Sequence, residues 1–185
     1  RALSEFSVVS WAPNTDTPWV NAAGELIITP AQAITRLNWL ITGPASSTGV
    51  LMSLLADTIL LPPLVLQALT NTPYGDSAPN KTVAQYFDEN NVYKQRTGRN
   101  VVVRDLPATA RAATTGVVGG GRAVAYRNSQ DILELPMPMA FHFRPVYQDG
   151  PLQFTVPGIG RIGQLQIFRQ NGIRYMDGIS PIPTP

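Results

Sequence analysis

From Arg122 to Ile179 the apolar residues recur at every second position, and prolines interrupt them. Leu165 and Ile167 alternate with Gln164 and Gln166, and Leu152, Phe154 and Val156 share one side of their run. A period of two is the pattern of strands with one wet face. Ala123–Tyr126 and Asp131–Leu135 read as two more strands. Proline lacks the N–H that a ladder needs, so Pro136, Pro138, Pro145 and Pro157 put these strands at edges or bends. The last third of the chain is therefore β-rich.

The first two thirds have a different period. Phe6–Trp11 and Glu25–Ile28 read as short extended pieces around a polar turn at Pro13–Pro18. Thr29 then supplies a helix cap, Pro30 suits the first helical position, and Gln32 completes a capping box. Ile34, Leu37 and Ile41 recur at helical spacing, and Gly43-Pro44 ends the run. After a small-residue loop at Ala45–Gly49, Asp57–Leu61 reads as a buried strand. Pro62-Pro63 closes that strand and opens a helix through Leu69. A turn-rich loop at Thr70–Asn80, a helix at Thr82–Asn90 and an extended segment at Asn100–Asp105 come next. Leu106–Gly121 reads as a long loop of small residues, a type that is usually functional or mobile. Helix alternating with strand indicates an α/β lobe ahead of the β-rich part, hence an α+β chain.

Composition removes several functions. No cysteine is present, so there is no thiol nucleophile, no disulfide framework and no Cys-ligated zinc site. Charged residues make up only 14% of the chain, against roughly 25% in ordinary soluble domains. Fifteen glycines and 17 prolines add turns. A turn-rich surface poor in charge suits a protein packed against neighbours. Twelve of the 14 basic residues are Arg, whose planar fork is favoured at interfaces. They read as scattered, and a net charge of +2 is modest, so no strong nucleic-acid footprint is expected. No signal peptide or run of about 20 apolar residues is visible. The chain starts at Arg1, which reads as a processed or truncated product.

Four motifs invite a catalytic reading. Gly158-Ile-Gly-Arg-Ile-Gly163 fits the dinucleotide pattern, but a strand-like run comes after it where the pyrophosphate needs a helix N-terminus. It reads as a glycine-rich hairpin turn. Gly116–Arg122 lacks the Gly-Lys-Ser/Thr of a phosphate loop. His142, the single histidine, has no serine elbow to serve and no second His for a metal; it reads as lying on the strand face opposite Phe141 and Phe143. Asp88-Glu89 is the one adjacent acidic pair, but neighbours on a helix diverge by about 100°. No residue is assigned to catalysis, to a cofactor or to a metal. The enzyme alternative rests on the 158–163 turn or on His142.

Several strings, taken in order, carry a resemblance. They are Asp57-Thr-Ile-Leu-Leu-Pro-Pro, Thr72-Pro-Tyr-Gly, Thr82-Val-Ala-Gln-Tyr-Phe, Arg122-Ala-Val-Ala-Tyr-Arg and Leu133-Glu-Leu-Pro-Met-Pro-Met. Thr155-Val-Pro-Gly-Ile-Gly-Arg-Ile-Gly and Ile173-Arg-Tyr-Met-Asp-Gly-Ile179 complete the set. In this order they resemble landmarks of the major capsid proteins of tailed bacteriophages and prophages, with the Hong Kong 97 phage fold that encapsulin compartments share. The resemblance implies a non-enzymatic α+β subunit tiling the hexamers and pentamers of an icosahedral shell, with an axial and a peripheral lobe. It assigns remnant peripheral strands to 1–28, the axial α/β lobe to 29–121 and the β-rich peripheral lobe to 122–185. The N-terminal arm, extended hairpin loop and spine helix of the family are not found, so the chain reads as the C-terminal part of a subunit. Copies of itself, packaged DNA held without sequence preference, and scaffold or decoration proteins are the implied partners, with no membrane and no cofactor. The implied location is the virion capsid, assembled in the bacterial host cytoplasm. An encapsulin-like compartment is the alternative within this fold.

Overall fold

The computed structural model describes residues 18–43, 54–75, 80–111, 120–169 and 172–181. The expected strand at Phe6–Trp11, most of the Pro13–Pro18 turn and the loop at Ala45–Gly49 lie outside them. The described residues form two compact units, one running up to residue 128 and resuming from 172, the other Ser129–Arg169.

In the first unit, α1 (Pro30–Thr42) begins as its sequence dictates. Thr29 Oγ1 accepts from the Gln32 amide at 3.3 Å, and the Gln32 side chain accepts from the Thr29 amide at 3.1 Å. Ala33, Ile34, Leu37, Leu40 and Ile41 form its buried face, and Gly43 ends it at φ 80°. β1 (Thr58–Leu61) and α2 (Pro63–Asn71) come next, with Pro63 in the first turn of the helix. α3 (Val83–Asn90) repeats the capping box with Thr82 and Gln85. It leads into a helix that periodicity did not reveal, α4 (Val92–Thr97). The signal for α4 is polar: buried Asn91 accepts from the Lys94 amide at 2.8 Å and donates to the Phe87 carbonyl at 3.0 Å. One side chain thus closes α3 and opens α4.

β2 (Val102–Asp105) then pairs in parallel with β1, Thr58 opposite Val102 and Leu61 opposite Asp105. A 3-10 turn (Pro107–Arg111) occupies part of the expected long loop. β3 (Arg122–Tyr126) pairs antiparallel with β1. The last strand, Ile173–Asp177, pairs antiparallel with β3 and completes a four-stranded sheet in which β2 is the opposite edge. Ala123, Ala125 and Met176 are buried in the sheet, part of the same apolar core as Leu37, Ile41, Ile59, Leu61, Val65, Leu69 and Phe87. The resemblance groups Arg122–Tyr126 and Ile173–Asp177 with the C-terminal residues 122–185. In the structure they share a sheet with β1 and β2, because pairing partners are chosen across the fold and not by position in the chain.

Polar contacts fasten this closing strand. Arg122 grips Asp177 with two hydrogen bonds, at 2.6 and 2.9 Å, under the Tyr175 ring 4.1 Å away. The hydrogen bond to Asp177 raises the Arg122 pKa against the opposing effect of burial. Beside the pair, Gly120 donates to the Ser180 carbonyl and Gly121 accepts from the Ile179 amide. A Cβ on Gly121 would lie 2.1 Å from Ser180 Oγ and 3.1 Å from Pro62 Cγ. Gly121→Ala should therefore cost about 2 kcal/mol by overpacking, read as a thermal midpoint lower by about 4–8 °C. An unchanged midpoint would show that Ser180 gives way freely.

The second unit runs differently from its sequence reading. β4 (Leu133–Glu134), β5 (Met139–Phe143) and β6 (Tyr147–Gln148) lead out, and β7 (Phe154–Thr155), β8 (Gly158–Arg161) and β9 (Gln166–Ile167) lead back. β4 pairs with β9, β5 with β8 and β6 with β7. Between them the Phe168 amide donates to Ile132, Gly163 to Pro136, Arg144 to Pro157 and Asp149 to Gln153. The unit is one long β-hairpin, a feature the sequence reading did not find. Two expectations are corrected. Asp131–Leu135 keeps strand geometry only at Leu133–Glu134, because a turn at Ser129–Ile132 occupies its start. Gly158–Arg161 is a strand and not the turn; the reversal falls at Asp149–Gln153. The last strand of the chain, Ile173–Asp177 in the first unit, is β10.

Candidate assembly surface

The hairpin has little core of its own. Of the 15 exposed large apolar side chains among the described residues, 12 lie in Ser129–Arg169, from Leu135 to Phe168, while Ile132 is buried. An isolated two-stranded hairpin is marginal in water, and stability takes a third strand or a covering layer. Exposed apolar surface on this scale marks an interaction site.

Register decides where that surface points. Near the base, Leu133 pairs with Ile167 and Met139 with Arg161, and Leu135 and Met137 between these pairs are exposed. Between Met139 and His142 the register shifts, after which His142 pairs with Ile159 and Phe143 with Gly158. An extra residue in one strand is a bulge and re-aims the side chains beyond it. Phe141 lies against Gly158 and Gly160, Phe143 pairs with Gly158, and both take the face opposite His142. Their rings meet edge to face at 5.1 Å and 84°, and both remain exposed.

The same geometry accounts for the motif at 158–163. A Cβ on Gly158 would lie 2.5 Å from Phe141 Cζ, one on Gly160 3.2 Å from Phe141 Cα, and one on Gly163 2.8 Å from Pro136 Cγ. The three glycines make room for the facing strand. They open no helix, so no helix N-terminus faces a phosphate as the dinucleotide mechanism needs.

The other candidate residues are dispersed. His142 is exposed, and its Nδ1 lies 3.2 Å from the Ala140 carbonyl of its own strand. Residues 116–119 of the glycine run lie outside the described residues; Gly120 and Arg122 are committed to the closing strand. Glu89 pairs with Lys81, while Asp88 uses its backbone carbonyl for Asn91 and Lys94. A cavity of about 360 Å³ between α1, α2, α3 and β2 is lined by Leu37, Leu61, Leu66, Leu69 and Phe87, and Asp88 is its one charged side chain. A ligand site needs several convergent polar groups, which this cavity lacks.

A family model described as major capsid protein matches residues 3–179. The structure is similar to the capsid of Myoviridae phage XM1, with a TM-score of 0.64 and 14% identity, covering 92% of this chain and 52% of that one. A virus-like particle from Pyrococcus furiosus is similar at a TM-score of 0.50 and 10% identity, covering 87% of this chain and 56% of that one. The chain thus spans about half the length of the solved chains it matches. No curated protein sequence matches it.

Proposed function

This chain belongs to the major capsid protein family, and from that membership we propose that it is a structural subunit which assembles with copies of itself into the hexamers and pentamers of an icosahedral shell around DNA. The observation that carries the reading within the molecule is the hairpin, with 12 exposed large apolar side chains and too few strands to be stable uncovered. Its apolar faces pack against other subunits. The four-stranded unit serves as the axial lobe, and the hairpin belongs to the peripheral lobe. Scaffold or decoration proteins are further partners, and assembly takes place in the bacterial host cytoplasm. The subunit has no catalytic role; its chemistry is contact chemistry.

The compartment alternative draws on a weaker likeness, a TM-score of 0.50 against 0.64. Both likenesses concern the fold, and the family match favours the phage-type capsid. No helix among the described residues is long and apolar enough to cross a membrane. Sedimentation velocity and electron microscopy of the full encoded protein test the proposal. Closed shells or capsomer rings are expected. A strictly monomeric species under every assembly condition would overturn it, and co-purification of a protein cargo instead of DNA would transfer the reading to a compartment.

A further inference from the structure

Two of the six tyrosines in this chain lie face to face. The ring centroids of Tyr74 and Tyr86 are 3.8 Å apart, and the planes are 7° from parallel. Aromatic pairs left to themselves prefer an offset or edge-to-face arrangement, with centroids about 4.5–7 Å apart. The close stack is therefore set by the backbone on either side of it.

That backbone is tightly tied. After α2, Thr72-Pro-Tyr74 runs antiparallel to Lys81-Thr-Val83, around a bridge between Pro73 and Thr82. The Tyr74 amide donates to the Lys81 carbonyl at 2.9 Å, and the Val83 amide to the Thr72 carbonyl at 3.0 Å. Tyr86 stands in the first turn of α3, its amide donating to the Thr82 carbonyl at 2.9 Å, and the capping box at Thr82 fixes that turn. Both rings pack against the apolar core and stay half-exposed. They cannot separate without opening the start of the helix or the strand-like clasp beside it.

The two hydroxyls lie at the same end of the stack. Burial, and then a hydrogen bond shared with the Tyr86 hydroxyl, raise the Tyr74 pKa. With the phenols side by side, the ring carbons ortho to them face each other at van der Waals distance. Phenylalanine would fill the same space, so packing does not call for the two hydroxyls. What they add is a reaction that only phenols undergo. The chain has no cysteine, hence no thiol to intercept a tyrosyl radical. Among the described residues no other two tyrosine rings are stacked.

We propose that Tyr74 and Tyr86 form an oxidative cross-linking site, coupling to dityrosine when a one-electron oxidant such as a haem peroxidase with hydrogen peroxide acts on them. Each phenol gives up one electron and its O–H proton. The two radicals join through a new carbon–carbon bond between ortho positions. The hydrogen on each of those carbons then moves to the phenolic oxygen as the ring regains aromaticity. Two electrons and two protons leave in all, and they reduce one hydrogen peroxide to two water molecules. Fixed geometry gives the pair an effective concentration that free tyrosines lack. The product closes a loop of 13 residues, 74 through 86, and constrains the unfolded chain as a disulfide would.

Peroxidase with peroxide, or photo-excited ruthenium tris-bipyridyl with persulfate, tests the site on this chain in dilute solution. Dityrosine fluorescence is expected, with a cross-linked peptide pair that contains residues 74 and 86 and is lighter by two hydrogens. The product should run as a single chain on a denaturing gel, at a yield independent of protein concentration. Tyr74→Phe and Tyr86→Phe keep the rings and should each abolish it, while Tyr147→Phe, on the exposed hairpin, should leave it in place. Circular dichroism should show the oxidised wild type melting about 6–12 °C higher, and oxidised Tyr74→Phe unchanged. Coupling that survives in either of the first two variants, or that maps to other tyrosines, overturns the proposal. So does a wild type that gives no dityrosine under conditions that couple free tyrosine. A yield that rises with protein concentration would place the bond between chains and overturn it as well. None of these readouts needs a shell, so failure of the subunit reading would leave the staple standing.

Discussion

Phe141→Asp combined with Phe143→Asp should leave the four-stranded unit folded and raise the concentration needed for assembly by at least about 100-fold. The two rings are 63% and 69% exposed in the single chain, so they do little for its own stability. Burying a phenylalanine against a neighbour is favourable by about 1.5–3 kcal/mol, so the pair contributes about 3–6 kcal/mol to a subunit contact. Placing two carboxylates there adds a desolvation cost. Phe141 also shields the bare backbone of Gly158 and Gly160, so Phe143→Asp alone, which leaves that cover in place, separates contact loss from hairpin damage. Gln166→Glu, on a position facing Glu134, should change assembly far less. Sedimentation velocity over a concentration series reads the effect. Equal assembly of wild type and the double variant would remove this part of the hairpin from the interface.

Arg174→Ala should lower the stability of the sheet unit by about 2–4 kcal/mol, through lost charge-assisted hydrogen bonds and the carbonyls left behind. Arg174 sits on β10 and donates to the Ile41 carbonyl at 2.6 Å and to the Leu54 carbonyl at 3.3 Å. Burial pushes its pKa below the ordinary arginine value, so the cation is held at a cost. The negative end of α1 offsets part of that cost, since cations are favoured at helix C-termini. Gly43 leaves the space, because a Cβ there would lie 2.9 Å from Arg174 Nε. A thermal midpoint lower by about 4–16 °C is expected in circular dichroism. Arg174→Lys keeps the charge but lacks the fork for two carbonyls and should recover only part of the loss. Full recovery by Lys would mean that charge alone matters.

The elements legible in the sequence are those with local causes. Both capping boxes form, at Thr29 with Gln32 and at Thr82 with Gln85. Pro62-Pro63 divides strand from helix, and β1 is buried as its unbroken apolar run implies. α4 escaped notice because six residues are too few for a helical period to show. His142 does lie on the face opposite Phe141 and Phe143, but those rings are uncovered and not packed inward. The capsid resemblance, carried by ordered strings, agrees with the family match over residues 3–179.

By itself, the sequence determined where α1, β1, α2 and α3 start, which face of α1 is apolar, and that the C-terminal third is strand-rich. These depend on neighbours within a few residues, whose sterics and hydrogen bonds are present in any conformation of the chain. Tertiary structure alone decided that β10 closes the sheet beside β3, with Arg174 reaching a carbonyl 133 residues earlier. It also decided that β4 to β9 form one hairpin, with a register shift between Met139 and His142. Alternation is symmetric between the two faces of a strand, so only the pairing, and the extra residue within it, could say which face each side chain would take.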